Sequence, residues 1–380
     1  MILSSEEAVR RKISGLLETA EADEPVVLTQ EYWSGKEFLK KAEPGAHHYY
    51  FYYQNKLWDM EERSSILALQ SLLLQREDYE AAKTYNEFLI FVTRLQDREE
   101  WLFYPREIQI EHTNRCNARC VMCGHFNADK RRCRDLPWQT FLKLEKFLPF
   151  CRCVGLHGYG EPFLVKNLTA YLEVYRKYGV RLYTNSNLNY LPEELLPYIR
   201  DLFDEINVSC DSADPRTYAA IRKGLSLERL KANVRRLKEA CPRVRLRLFA
   251  VIMRQNLREL PKLVEFAAEY GFSSVVLTEM IAMEANGNYL DAPELYPDTR
   301  SFYLKQALKK ARELGIPLSY PREALLPAEE THLEEEAAAM DRVKPARAAR
   351  AEHSGTNLIY SRKPLTEEVE KKSLHRCRGI

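Results

Sequence analysis

From residue 106 onward the sequence predicts an α/β fold, a partial (β/α)6 barrel, carried behind a mainly helical N-terminal extension. Short β-rich runs alternate there with amphipathic helical stretches, the pattern of repeated βα units around a parallel sheet. Several of the helical stretches close on Gly179, Pro242 or Gly271, residues that stop a helix. The chain ahead of residue 106 lacks this alternation.

In order, Ser4 and Ser5 precede Glu6 and Glu7 as a capped helix start, and Leu67, Leu69, Leu72, Leu73 and Leu74 recur near helical spacing. Between them His47 and His48 lead into the aromatic run Tyr49, Tyr50, Phe51, Tyr52, Tyr53 and Trp58, read as a buried strand or helix edge. Strands are expected at 107–113, 154–158, 180–184, 205–210, 243–253 and 273–279. Helices are expected at 138–148, 168–178, 192–203, 214–240 and 257–270. After residue 322, Glu329, Glu330 and Glu334 to Glu336 give way to Arg342, Lys344, Arg347 and Arg350 among alanines, a linker or exposed helix with a solvated surface. The expected parts are 1–104, 105–321 and 322–380.

Composition narrows the class. The 380 residues are 45% hydrophobic and 29% charged, as in a globular chain, with no apolar run near the roughly 20 residues that span a bilayer. Lys and Arg number 57 against 55 Asp and Glu, a net charge of +2, which argues against a nucleic-acid coat or polybasic membrane anchor. Met1 to Leu17 mixes charges with apolar residues and lacks the apolar core of a secretory signal, so the expected location is cytoplasmic.

In such a compartment, thiols serve as ligands, nucleophiles or core residues more often than as disulfides. Of nine cysteines, Cys116, Cys120 and Cys123 crowd into one C-x3-C-x2-C stretch after the first strand, while Cys133, Cys151, Cys153, Cys210, Cys241 and Cys377 are scattered. Three thiolates on a loop can hold a four-iron cubane and leave one iron open to a non-protein ligand. The rival reading is a closed zinc site with Cys133 or His125 as fourth ligand. A Gly-rich strand end follows, Gly158-Tyr159-Gly160-Glu161-Pro162, where backbone approaches a ligand and a carboxylate accepts from a cationic amine.

The run IEHTNRCNARCVMCGH resembles the cluster loop of the radical S-adenosylmethionine superfamily, and the GYGEP run is similar to that family's GGEP segment. Thr184-Asn185-Ser186-Asn187 resembles its TNG segment, and Asn207-Val208-Ser209-Cys210-Asp211-Ser212 its VSLD strand. FAVIMRQNLREL and VVLTEM look like its fifth and sixth strands. The resemblance spans about residues 107–281 and implies a TIM-like partial barrel whose strand C-termini face one mouth. It implies a 4Fe-4S cluster on Cys116, Cys120 and Cys123, and S-adenosyl-L-methionine bound near Gly158, Gly160 and Glu161. A ribose or polar cofactor role falls to Ser209, with Thr184 and Asn185 behind it. Val251 and Leu277 are the guesses for adenine contact, and Arg222 reads as a surface residue rather than a contact for the cofactor carboxylate.

The implied reaction is reductive cleavage of the cofactor to a 5′-deoxyadenosyl radical that abstracts hydrogen from a substrate, a peptide or protein being favoured. A flavodoxin or ferredoxin is the implied electron donor. The alternatives are a zinc-stabilised binding or scaffold protein without catalysis, and an RNA-modifying radical enzyme, against which the near-neutral charge speaks. Two features depart from the family. Met122 stands where an aromatic residue commonly precedes the third cysteine, and a thioether can supply the packing. The ending HRCRGI resembles the opening of the SPASM extension, which binds auxiliary clusters; truncation just before it is preferred over Cys377 being an ordinary terminal thiol. The other cysteines read as core, except Cys133, which is left as a reactive or merely exposed thiol, and His157 as structural.

Overall fold

The computed structural model describes residues 50–53, 56–60, 62–95, 102–125, 132–281, 288–325 and 340–341. The aromatic run forms strand β1 (Tyr50–Tyr53), paired antiparallel with β2 (Lys56–Asp59). Helices α1 (Arg63–Gln75) and α2 (Tyr79–Leu95) follow. Within 50–95 two helices follow one hairpin, and the aromatic run takes the strand form, since consecutive Tyr and Phe fit a pleated strand. Tyr53 and Trp58 pack on Ile66, Leu69, Leu73, Tyr85 and Leu89 in a core of their own. Asp78 opens α2 by accepting from the Ala81 amide (3.1 Å) and takes the Tyr53 hydroxyl at 2.7 Å.

The barrel begins with β3 (Glu107–Gln109), the two-residue β4 (Arg119–Cys120) and α3 (Trp138–Leu142). Next come β5 (Cys153–Gly155), α4 (Leu168–Lys177), β6 (Arg181–Ser186), α5 (Leu196–Leu202) and β7 (Phe203–Ser209). Then α6 (Pro215–Ile221), β8 (Arg222–Lys223) and α7 (Leu227–Ala240) lead into β9 (Arg245–Ile252). Helix α8 (Leu260–Glu269), β10 (Ser274–Glu279), α9 (Pro297–Leu314) and β11 (Leu318–Ser319) complete it. The sheet runs β3-β5-β6-β7-β9-β10-β11 with every neighbouring pair parallel.

All six expected strands are present, and a seventh, β11, joins the edge of β10, too short to read from alternation. The expected helix 214–240 is two helices. Its break holds Gly224 at φ +92°, and the Asn117 carbonyl lies 3.2 Å from where a Cβ would stand there, so the interruption makes room for the cysteine loop. Asp214 and Ser226 cap the two halves.

Strand residues alternate between two faces. Leu182, Val208, Leu246, Leu248 and Leu277 turn to the helices and belong to the main core, whereas Tyr183, Asn185, Ser209 and Arg247 turn to the lumen and stay partly open. Leu277 therefore cannot meet an adenine in the lumen, which corrects its expected role. The N-terminal helices are tied to the barrel by buried Lys83, whose ammonium donates to the Tyr178 and Gly179 carbonyls at 2.6 and 2.7 Å beyond the end of α4. Asn86 adds donations to the Tyr104 and Phe150 carbonyls. Among the described residues no helix is long and apolar enough to cross a membrane. The charged stretch after 325 and Cys377 lie outside the described residues, apart from Met340 and Asp341.

Candidate cluster and cofactor site

The cysteine loop leaves β3 through Thr113 and Arg115, whose side chains converge on Asp135. Thr113 Oγ1 donates to its Oδ1 at 2.7 Å, and the Arg115 guanidinium grips both oxygens at 2.8 and 2.7 Å. The far end of the loop is stitched by β4 pairing with β8, Cys120 opposite Arg222, and by the Val121 amide donating to the Ile221 carbonyl at 3.0 Å. The three cysteines are partly buried. Burial pushes the thiol of Cys116 up to about 11 and that of Cys120 up to about 12, so metal-free protein keeps both protonated and metal uptake releases their protons.

Each sulfur faces a donor. The Ala118 amide lies 3.5 Å from Cys116 Sγ, the His125 amide 3.4 Å from Cys123 Sγ, and Arg222 Nη1 3.7 Å from Cys120 Sγ. Donors aimed at sulfur suit thiolates bound to iron. Among the described residues no three His, Cys, Asp or Glu side chains are grouped to hold one metal ion. Cys133 and His125 contact each other at 3.6 Å, and that arrangement does not supply the closed tetrahedral donor set of structural zinc. Three thiols on one loop, each faced by an N–H donor, are a donor set that fits a cubane.

The glycine segment packs against this loop. A Cβ on Gly160 would stand 2.0 Å from the Thr113 carbonyl oxygen, and one on Gly158 2.3 Å from Glu111 Oε1. Glu111, missed in the sequence, accepts from the amides of Tyr159 and Gly160. Glu161 is fully buried, accepting from Ser186 Oγ at 2.6 Å and the Asn187 amide at 2.8 Å. Burial lifts its carboxyl to about 7. It thereby ties the second and third strand ends together instead of lying open at the mouth. Asn187, also missed, donates to Asn117 Oδ1 at 2.8 Å, joining the third strand end to the cysteine loop.

Thr184 faces the helices with its hydroxyl donated to the Leu156 carbonyl, which corrects its expected ribose role. Asn185 and Ser209 do face the lumen. Register sets Asn185 beside Asn207 and Asn207 beside Arg247, and Asn207 Nδ2 donates to Asn185 Oδ1 at 2.9 Å. The Oδ1 of Asn207 and Nδ1 of His157 are buried without a hydrogen-bond partner, while the His157 ring tilts on Tyr183 at 5.4 Å. Val251, on the same face, joins Met122, Val121, Ile221, Met253 and Met280 in a small apolar cluster beside the cysteine loop.

Arg222 is the largest correction. It is buried, its Nε 2.7 Å from Asp211 Oδ2, with side chains 8% and 0% exposed, and it is not a surface residue. Its sequence neighbourhood of alternating helix and charge carries no mark of burial, because the strand that brings it inward exists only through β4. Cys151, Cys210 and Cys241 are buried as expected, and Cys153 is half-buried.

The three thiols lie on one loop of a parallel α/β barrel, joined to the third strand end through Asn117 and to β8 through Cys120. Residues 110–267 match the family model of the Radical SAM superfamily. The tungsten-containing aldehyde ferredoxin oxidoreductase cofactor-modifying protein of Pyrococcus furiosus is 24% identical over 188 residues, 46% of this chain and 52% of that protein. GTP 3′,8-cyclase 1 of Pseudomonas aeruginosa is 30% identical over 187 residues, 46% and 54% of the two chains. The chain thus spans about half the length of these curated relatives. Among solved structures, native anSMEcpe with bound AdoMet aligns with TM-score 0.48 and 17% identity over 57% of this chain and 63% of that one. Streptococcus suis SuiB bound to S-adenosylmethionine aligns with TM-score 0.48 and 15% identity over 63% and 56%.

Proposed function

We propose that Cys116, Cys120 and Cys123 hold a 4Fe-4S cluster whose open iron binds S-adenosylmethionine at the mouth of the barrel, and that the chain modifies its substrate by hydrogen abstraction. The observation that carries this reading is the loop of three thiols, each sulfur faced by its own N–H donor. Bound there, the two cofactors supply reductive cleavage of the sulfonium and a hydrogen-abstracting radical. The chain's own residues orient and shield them. Gly158 and Gly160 bring backbone close to the cysteine loop, Glu161 fixes the strand ends that frame it, and the cluster of Met122, Val251 and Met280 offers apolar packing to a base.

On the substrate side, the lumen residues Asn185, Asn207 and His157 present uncharged hydrogen-bonding groups, burial lowering the His157 pKa. Such a lining favours an uncharged polar substrate over a polyphosphate. That supports a peptide or protein, the kind of molecule bound in the SuiB structure with precursor peptide SuiA, over the nucleotide named for the cyclases. A flavodoxin or ferredoxin is the proposed reductant.

Anaerobic reconstitution tests the reading. Iron and sulfide near four per chain, a cluster absorbance and 5′-deoxyadenosine release on reduction are expected, all lost in Cys120→Ala. One equivalent of zinc without sulfide sinks it in favour of a scaffold.

A further inference from the structure

Three thiols in one loop are chemically alike by sequence, yet their surroundings differ. Cys116 and Cys123 receive backbone amides, which are neutral dipoles, while Cys120 receives a guanidinium. A hydrogen bond from a charged donor is roughly twice as strong as a neutral one. This donor is also unusually fixed. Arg222 ends a seven-residue helix, and its backbone pairs with Cys120 across β4 and β8, so the side chain starts beside the sulfur it meets. Asp211 holds the other edge of the guanidinium at 2.7 Å.

Asp211 is itself anchored. Its Oδ1 accepts the Val251 amide at 2.8 Å, and its carbonyl accepts Asn256 Nδ2 at 2.9 Å. Taking two charges out of water costs several kcal/mol per ion, and a buried pair is weak evidence of a stabilising device. A pair that also points a free edge at one thiol has a different use.

We propose that Arg222, aimed by Asp211, is a positioning residue that hydrogen-bonds the Cys120 thiolate of the bound cluster and eases its reduction by drawing negative charge from that sulfur. The inference rests on the proposed function. A positive donor at a cluster sulfur stabilises the reduced, more negative state, so removing it makes reduction harder. The Asp211 charge offsets part of the effect without cancelling it, because the guanidinium is the group that touches the sulfur.

The test is a redox titration followed by electron paramagnetic resonance on reconstituted full chain, without S-adenosylmethionine, for wild type, Arg222→Lys, Arg222→Gln and the double change Asp211→Asn with Arg222→Gln. Arg222→Gln and the double variant should show a reduction equilibrium about tenfold less favourable, about 59 mV more negative for one electron. Arg222→Lys should fall between them and wild type, since charge is kept and the aimed fork is lost. Potentials equal to wild type overturn the inference, as does a shift that appears only after S-adenosylmethionine is added, which would make Arg222 a contact of the cofactor. Failure of all three variants to take up iron also counts against it, since the pair would then be a folding element. Wild type that takes up no iron sinks the functional reading instead.

Discussion

Along β9, Leu246, Leu248, Ala250 and Ile252 turn to the helices and are buried, while Arg247, Phe249 and Val251 turn inward and keep open surface. The same contrast runs through β6 and β7, where Leu182, Thr184, Ile206 and Val208 are buried and Asn185 and Ser209 are not. One face of each strand therefore stabilises and the other is available for chemistry. The difference teaches that a residue's role in this sheet follows its parity along the strand more than its type. Thr184 shows it: a hydroxyl that looks suited to a ribose lies on the wrong parity and caps a carbonyl of the neighbouring strand end.

Leu248→Ala tests the helix-facing side most directly. It should cost about 2–5 kcal/mol in urea unfolding, the range for a buried Leu emptied to Ala, with iron loading per folded chain unchanged. A cost under about 1 kcal/mol would break the contrast.

The next expected effect comes from His112, buried between β3 and α4. Its Nδ1 lies 3.0 Å from the Ile110 carbonyl and its Nε2 2.9 Å from the Tyr175 hydroxyl, so the neutral ring donates to the first and accepts from the second. Burial lowers its pKa from 6.5 to about 4. The folded state thus binds fewer protons than the unfolded one within that window. The stability it contributes is complete above pH 6.5 and is lost as the pH falls towards 4, about 3 kcal/mol in all. Unfolding midpoints read across this range should fall steeply for wild type and more gently for His112→Gln. Equal slopes would show that another group carries the acid sensitivity.

The smallest stability effect belongs to the lumen. Asn185 is exposed, so Asn185→Ala should leave the unfolding midpoint within about 0.5 kcal/mol of wild type while weakening product formation from the proposed peptide substrate. A variant that destabilises the fold and leaves turnover intact would invert the contrast between the faces.

The cysteine loop, the Gly-rich strand end and the six major strands were legible because each is a local pattern: thiol spacing, a backbone that must pass close to another, or apolar alternation. What escaped is long-range. Nothing around Arg222 announces a buried guanidinium, since the charge is balanced by Asp211 and brought inward by a two-residue strand paired with the cysteine loop. Glu161 is visible as an acid in a glycine-rich turn, yet its capture by Ser186 and the Asn187 amide depends on the third strand end folding over it. The aromatic run was open between strand and helix edge, and its pairing with Lys56–Asp59 settled it as a strand.

By itself the sequence determined the α/β class, the thiol loop and the family it resembles, because these depend on side-chain type at short spacing. Tertiary structure alone decided which thiol meets a cation, which polar residues reach the lumen and where the 214–240 stretch breaks. Strand register has a period of two, so a single step in pairing moves a side chain from core to lumen, and only the assembled sheet sets that step.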